Sequence, residues 1–382
     1  MELAFSPQDA AFRDEVRTWL AENAPRERRP AGGRAMREFD LNWQRQQFEG
    51  GWAGVSWPAE HGGRGLPLTQ QLIWYEEYAK LGMQAIDTRF VGLSHAGPTL
   101  MARATTEQQA AHLPQILRGD VVWCQGFSEP EAGSDLASLR TRAELDGDEL
   151  VVTGQKIWTS YAHLADWQEL LVRTDPDLPR HKGISWVICD MRSPGVEIRP
   201  IRTMDNGEDF CEVFYDEVRI PVTSVVGGMN NGWSVAMSTL SFERGTAFTI
   251  DQVQLSSTVE RLIELAQQRS RLGDADIAHA LARARADVAA LRSLTYLSVS
   301  RNLHSAEPGP EGSMLKLQWA ELNQRILRLA VEILGPASVS LDEEGGAIWS
   351  QLFLLSYAST IAGGTSEIQR NIIAERVLGL PR

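Results

Sequence analysis

Apolar residues in the first third of the chain recur at the three- and four-residue spacing of a helix face. Phe12, Val16, Trp19 and Leu20 make one such stripe, and Ser6-Pro7-Gln8-Asp9 opens it with an N-cap serine, a proline at the first helical position and an acidic residue two further on. Helix resumes over Gln70 to Leu81 and Thr106 to Leu117, after a loop at Gly62-Gly63-Arg64-Gly65-Leu66-Pro67. From about residue 121 the pattern changes to short β-like runs, Leu150 to Val152, Glu169 to Val172, Gly183 to Cys189 and Val213 to Tyr215, separated by turns such as Asp146-Gly147-Asp148 and Ser193-Pro194-Gly195. Beyond Asn231 helical spacing returns. Ile277, Leu281, Ala284, Val288 and Leu291 step by four and three, as do Leu315, Trp319, Leu322, Ile326, Leu329 and Ile333, which stop at Gly335-Pro336. These predict two long bundle helices joined by a loop over Asn302 to Gly312. The expected fold class is α+β, mainly α: a helical domain over residues 1–120, a β domain over 121–230 and a helical bundle over 231–382.

With 382 residues and 43% apolar content the chain has material for a sizeable core. Its formal charge of -13 argues against nucleic-acid or anionic-membrane partners, whose phosphates attract basic surfaces. Cys124, Cys189 and Cys211 show neither a paired framework nor metal-ligand spacing, which fits a reduced compartment. The start, MELAFSPQDAAF, has no basic segment leading into an apolar stretch, and no run approaches the ~18 apolar residues of a membrane span. A cytoplasmic protein without a metal is the expectation. The sequence also lacks GxGxxG after a strand, GxxxxGK[ST], HExxH, CxxC and GxSxG, which weakens nicotinamide, P-loop, metalloenzyme and hydrolase readings.

Three runs carry chemistry: Gly126-Phe127-Ser128-Glu129-Pro130-Glu131-Ala132-Gly133-Ser134-Asp135, Gly154-Gln155-Lys156-Ile157-Trp158-Thr159-Ser160 and Gly364-Thr365-Ser366-Glu367-Ile368-Gln369-Arg370-Asn371. In that order they resemble the signatures of the acyl-CoA dehydrogenases, and the resemblance covers essentially the whole chain. It implies an N-terminal α-helical domain, a middle β-barrel-like domain and a C-terminal four-helix bundle. It also implies FAD, α,β-dehydrogenation of an acyl-CoA or acyl-carrier-protein thioester, and an electron-transferring flavoprotein as acceptor. Such chemistry needs a base for the α proton, a hydride acceptor, which the flavin N5 supplies, and hydrogen bonds on the thioester oxygen. By the resemblance, Phe127 and Ser128 contact the pyrimidine side of the flavin, Ser134 meets phosphate or pantetheine atoms, Trp158 packs beside the isoalloxazine and Ser160 hydrogen-bonds near N5.

The base divides the family. Medium- and short-chain members carry a glutamate just before the Gly-Thr of the last signature, where this chain has Gly363; isovaleryl-CoA and long-chain members place it in a Glu-Arg pair at the start of the C-terminal domain, here Glu243-Arg244. The resemblance therefore makes Glu243 the base, gives Arg244 a part in organising it or the active-site wall, and leaves Gly363 a backbone N–H for the thioester oxygen. Apolar Leu240 and Phe242 beside Glu243 suit a carboxyl of raised pKa.

The adenosine half of FAD is held in typical members through a neighbouring subunit, by residues that here are altered to Arg269-Ser270-Arg271-Leu272-Gly273 and Glu332-Ile333-Leu334-Gly335-Pro336. Arg269, Thr365 and Glu367 remain candidate contacts. The change points to a homo-oligomer other than the usual tetramer, or to a heteromer with a paralogue. A noncatalytic or half-site partner subunit of such a heteromer is the alternative reading.

Overall fold

The computed structural model describes residues 5–82, 87–243, 248–302, 312–339 and 346–381. Its first lobe holds α1 (Pro7–Asn23), α2 (Gly33–Glu49), α3 (Leu68–Ala79), α4 (Gly97–Arg103) and α5 (Thr106–Arg118). α1 begins where the sequence places it, with the Asp9 N–H donating to Ser6 Oγ at 3.1 Å and the Ser6 N–H donating back to Asp9 Oδ2 at 3.3 Å. Its face of Phe12, Val16 and Leu20 is buried with Trp43, Trp52 and Trp74. Trp52 and Trp74 stack at 4.8 Å between ring centroids.

The middle section is a sheet of β1 (Trp123–Gly126), β2 (Arg142–Asp146), β3 (Glu149–Ser160), β4 (Trp167–Arg173), β5 (Ile184–Asp190), β6 (Val196–Ile201), β7 (Phe210–Pro221) and β8 (Val225–Val226). Strand order is β6-β7-β3-β2-β4-β5-β8, with β1 parallel beside β4. Central strands read as unbroken apolar runs because both faces are covered. Leu171 of β4 and Trp186 of β5 face a core shared with Trp57 and Leu100 of the helical lobe, whereas Leu170, Val172, Val187 and Cys189 face a core closed by β3 and β7.

The C-terminal part comprises α6 (Gly232–Glu243), α7 (Phe248–Gln268), α8 (Ala275–Asn302), α9 (Gly312–Leu334), α10 (Gly346–Ser359) and the short α11 (Ser366–Ile372). α7, α8, α9 and α10 share one core, to which the stripes Ile277 to Leu291 and Leu322 to Ile333 contribute. Of the connection expected over Asn302 to Gly312, residues 303–311 lie outside the described residues. α6 lies flush on the sheet: a Cβ at Gly232 would stand 2.4 Å from the Trp186 nitrogen of β5, so only glycine lets the helix backbone come this close.

Candidate active site

The first run leaves β1 at Gly126 and turns beneath β3. Phe127 is buried in the core between the lobes, so what it offers a cofactor is its backbone; its carbonyl accepts from Lys156 Nζ at 3.1 Å. Half-buried Ser128 accepts the Ile157 N–H on its carbonyl at 3.0 Å. Glu129 ties the turn together, accepting from the backbone N–H groups of Arg140 at 2.6 Å and Thr141 at 2.8 Å and from Lys156 Nζ at 2.8 Å. Burial alone would raise the Glu129 carboxyl, but Lys156 and these hydrogen bonds outweigh it and hold it below its ordinary value. Burial lowers Lys156 to about 8 against the opposing pull of Glu129. Ser134 is exposed further along the same loop.

β3 breaks register against β7 between Lys156 and Thr159, and the bulge turns Trp158 out of the sheet with φ of 61°. Its indole is 55% exposed, resting edge-to-face on Phe210 with centroids 6.1 Å apart. A left-handed backbone on so bulky a residue costs about 1–3 kcal/mol, and such strain persists where the surrounding structure enforces it for a purpose. Here it holds a flat aromatic face outward, two residues from half-buried Ser160 and beside the Ser128 strand contact. That surface fits a planar ring system flanked by hydroxyl groups. The structure thus brings Phe127, Ser128, Trp158 and Ser160 together.

Gly363 and Gly364 form a second cluster, both left-handed with φ of 64° and 91°. Buried Gln369 donates to the Gly363 carbonyl at 2.8 Å, and Lys316 Nζ donates to that of Gly364 at 2.8 Å. With the carbonyls turned to these side chains, the Gly363 N–H has no acceptor among the described residues. Thr365 caps α11 through its Oγ1, which accepts the Ile368 N–H at 3.3 Å, and exposed Glu367 stands 3.9 Å from Arg370. Arg269 sits apart, just after α7, and Glu332 is exposed on α9.

Glu243 is the last residue of α6; its side chain and Arg244 lie outside the described residues. The backbone places position 243 on the helix row that continues Gly232, Val235, Ala236 and Thr239, all buried, with Thr239 Oγ1 2.8 Å from Thr99 Oγ1. Sequence reasoning missed the Lys156–Glu129 brace, the Lys316 and Gln369 clamp, and a buried polar group at β1, where Gln125 Nε2 stands 3.2 Å from His95 Nδ1 and donates to Glu169 Oε1 at 2.8 Å. A partial signal for the brace was present: Lys156 is the one basic residue in the two runs, although Glu131 and Asp135 compete with Glu129 as its partner.

Models of the acyl-CoA dehydrogenase N-terminal, middle and C-terminal domains match residues 6–120, 124–218 and 230–378. The chain belongs to the acyl-CoA dehydrogenase family. It is 41% identical over 378 residues to the acyl-CoA dehydrogenase IpdE1 of Mycobacterium tuberculosis (strain ATCC 25618 / H37Rv), covering 97% of each protein. Among solved structures, the Tcur3481-Tcur3483 steroid ACAD superposes with a TM-score of 0.88 at 32% identity, and the ChsE4-ChsE5 complex from Mycobacterium tuberculosis with 0.85 at 34%, each covering 100% of both chains. This family member is an acyl-CoA dehydrogenase by relationship, an oxidoreductase whose family implies a flavin cofactor. No described helix is long and apolar enough to cross a membrane.

Proposed function

We propose that this dehydrogenase binds FAD and oxidises an acyl-CoA thioester between Cα and Cβ, with Glu243 as the base. The outward Trp158, held by a strained bulge and braced from below by Lys156 and Glu129, carries the cofactor reading. Trp158, Ser160, Ser128 and the backbone of Phe127 would hold the flavin ring, and Ser134 the phosphates or the pantetheine of the ligand. Arg269, Thr365 and Glu367 remain the candidates for the adenosine half. Bound FAD supplies the hydride acceptor.

The chain's own part is proton handling. Glu243 takes the α proton, because a glycine at 363 has no side chain to do so. The Gly363 N–H, left without a carbonyl partner, donates to the thioester oxygen as enolate character develops. Arg244, the next residue, orders the base or the wall beside it. A carrier-protein thioester presents the same reacting atoms and is the other form of substrate. Electrons then pass to an electron-transferring flavoprotein in the cytoplasm.

The working assembly is a heteromer with a paralogue. Both similar structures have names that join two components, and the chain alters the residues, Leu272 and Glu332, that typical members use across the subunit boundary. Residues 1–120, 121–230 and 231–382 act as its three domains. A half-site subunit without catalysis is the second reading, favoured by those same two residues.

Glu243→Gln decides between them. It keeps size and hydrogen bonding but takes no proton, so substrate-driven bleaching of the flavin slows by ~100 to 10,000-fold while binding is kept. Bleaching at the parental rate would remove Glu243 from the reaction and put the base on another carboxylate, of this chain or, on the half-site reading, of the paralogue.

A further inference from the structure

Lys156 lies wholly buried on β3, and one of its partners is a peptide group of the first signature loop. Its Nζ donates to the Phe127 carbonyl at 3.1 Å and to Glu129 Oε1 at 2.8 Å. The Phe127 carbonyl shares a peptide group with the Ser128 N–H. That peptide is trans, so the two point in opposite directions, the carbonyl into the ammonium and the N–H away from it. The next carbonyl, that of Ser128, takes the Ile157 N–H at 3.0 Å and fixes the loop in this pose. The Ser128 N–H itself has no acceptor among the described residues. A main-chain donor left open at a half-buried residue is a group available to a ligand.

The charge behind this peptide is not cancelled where it meets the carbonyl. Glu129 is the counter-ion, but its carboxylate also accepts from the N–H groups of Arg140 at 2.6 Å and Thr141 at 2.8 Å, which take up part of its charge. Arg173 bears on the lysine as a further cation, with its guanidinium held by the carbonyls of Ala137 at 2.7 Å and Arg180 at 2.7 Å. A cation 3.1 Å from a carbonyl oxygen draws electron density toward that oxygen and leaves the N–H of the same peptide a stronger donor. The low dielectric of a buried site magnifies the effect.

We infer that Lys156 tunes the flavin through this peptide: its ammonium makes the Ser128 N–H a donor that favours negative charge on the pyrimidine edge of the ring, and so raises the reduction potential of the bound cofactor. The inference rests on the reading that the flavin lies against Ser128 and Trp158. Lys156 then touches neither substrate nor ring; it is a positioning residue that acts through the peptide of Phe127 and Ser128. The hydride leaving Cβ carries two electrons to the ring N5 while the α proton goes to Glu243. The ring thereby gains a negative charge that spreads over its pyrimidine edge. A donor aimed at that edge stabilises the ring more after the hydride arrives than before.

The test uses the FAD-loaded holoenzyme and reads the midpoint potential by dye-coupled reductive titration at pH 6, where a lysine lowered to about 8 is still charged. Lys156→Gln keeps a donor for the Phe127 carbonyl and removes the charge. Reduced flavin should lose about tenfold in affinity relative to oxidised flavin, which lowers a two-electron potential by about 30 mV. Lys156→Gln/Glu129→Gln leaves no buried ion unpaired, should lower the potential alike, and keeps the test open if the single variant does not fold. A third measurement needs no substitution. The thiolate band of 8-mercapto-FAD moves to longer wavelength when negative charge is drawn to the pyrimidine edge, and the parent protein should produce that shift. An unchanged potential in a folded, flavin-bearing variant overturns the inference, as does 8-mercapto-FAD bound to the parent with its free-solution spectrum. A merely structural lysine would alter stability and flavin retention and leave the potential where it was. Failure of the parent to take up FAD removes the flavin reading together with the inference. A lowered potential in the variants of a protein whose flavin no thioester bleaches keeps the inference and removes the dehydrogenase reading instead.

Discussion

Two buried ion pairs, one beneath β3 and one in the helical lobe, are built to different ends. Lys156–Glu129, under the first signature loop, is completed by the main chain: the Phe127 carbonyl and the N–H groups of Arg140 and Thr141. Arg89–Asp87, in the helical lobe, takes one main-chain donor, the Arg89 N–H on Asp87 Oδ1 at 2.8 Å, is otherwise completed by the side chains of Tyr78 and Gln47, and borders a cavity. A buried charge satisfied by backbone locks the path of the chain. One satisfied by amides and hydroxyls leaves groups that can turn toward a guest. The first pair therefore shapes the loop beside Trp158; the second borders a cavity.

Mutation should separate them most sharply at Lys156. Lys156→Met leaves Glu129 as an uncompensated buried charge, and urea unfolding should show a loss of about 3–5 kcal/mol, together with weakened flavin retention in gel filtration. Arg89→Met removes the equivalent cation, but the cavity lets water reach Asp87, so the loss should be about 1–3 kcal/mol. Equal losses from the two variants would abolish the distinction between a closed and an open pair. A pH-dependent effect should come from Asp251, next to the cavity residue Ile250, a carboxyl with no ion-pair partner among the described residues, which burial raises to about 7. Its unfolded form gives up the proton near 3.8, so the parent protein loses stability as pH climbs from about 4 through 7. Asp251→Asn should be the more stable protein at pH 8 and should lose that advantage by pH 4, as thermal melts across the range would reveal; a constant difference would place the effect elsewhere.

The helical stripes were legible because each depends on local spacing. Ser6 announced α1, Gly335 ended α9, and Ile277 to Leu291 named the inner face of α8. Unbroken runs such as Leu170-Leu171-Val172 announced strands covered on both faces. Trp158 was legible as a residue and illegible as a shape, since nothing in Lys156-Ile157-Trp158-Thr159 states that β3 gains a bulge against β7. The open ion pair was beyond sequence reasoning for another reason: Gln47, Tyr78 and Arg89 come from separate segments and meet only when the lobe packs. The clamp on Gly363 and Gly364 likewise needs α9 and α11 to converge before Lys316 and Gln369 acquire a meaning.

The left-handed turn at Gly363 limits what a single mutation can do there. A side chain placed there must either carry the roughly 1–2 kcal/mol cost of that backbone or pull the carbonyls away from Lys316 and Gln369. A single codon change to glutamate at 363 would thus install a carboxylate on a loop whose backbone suits glycine. Moving the base to position 363 in this chain would therefore bring backbone strain or the loss of the Lys316 and Gln369 clamp along with the new side chain.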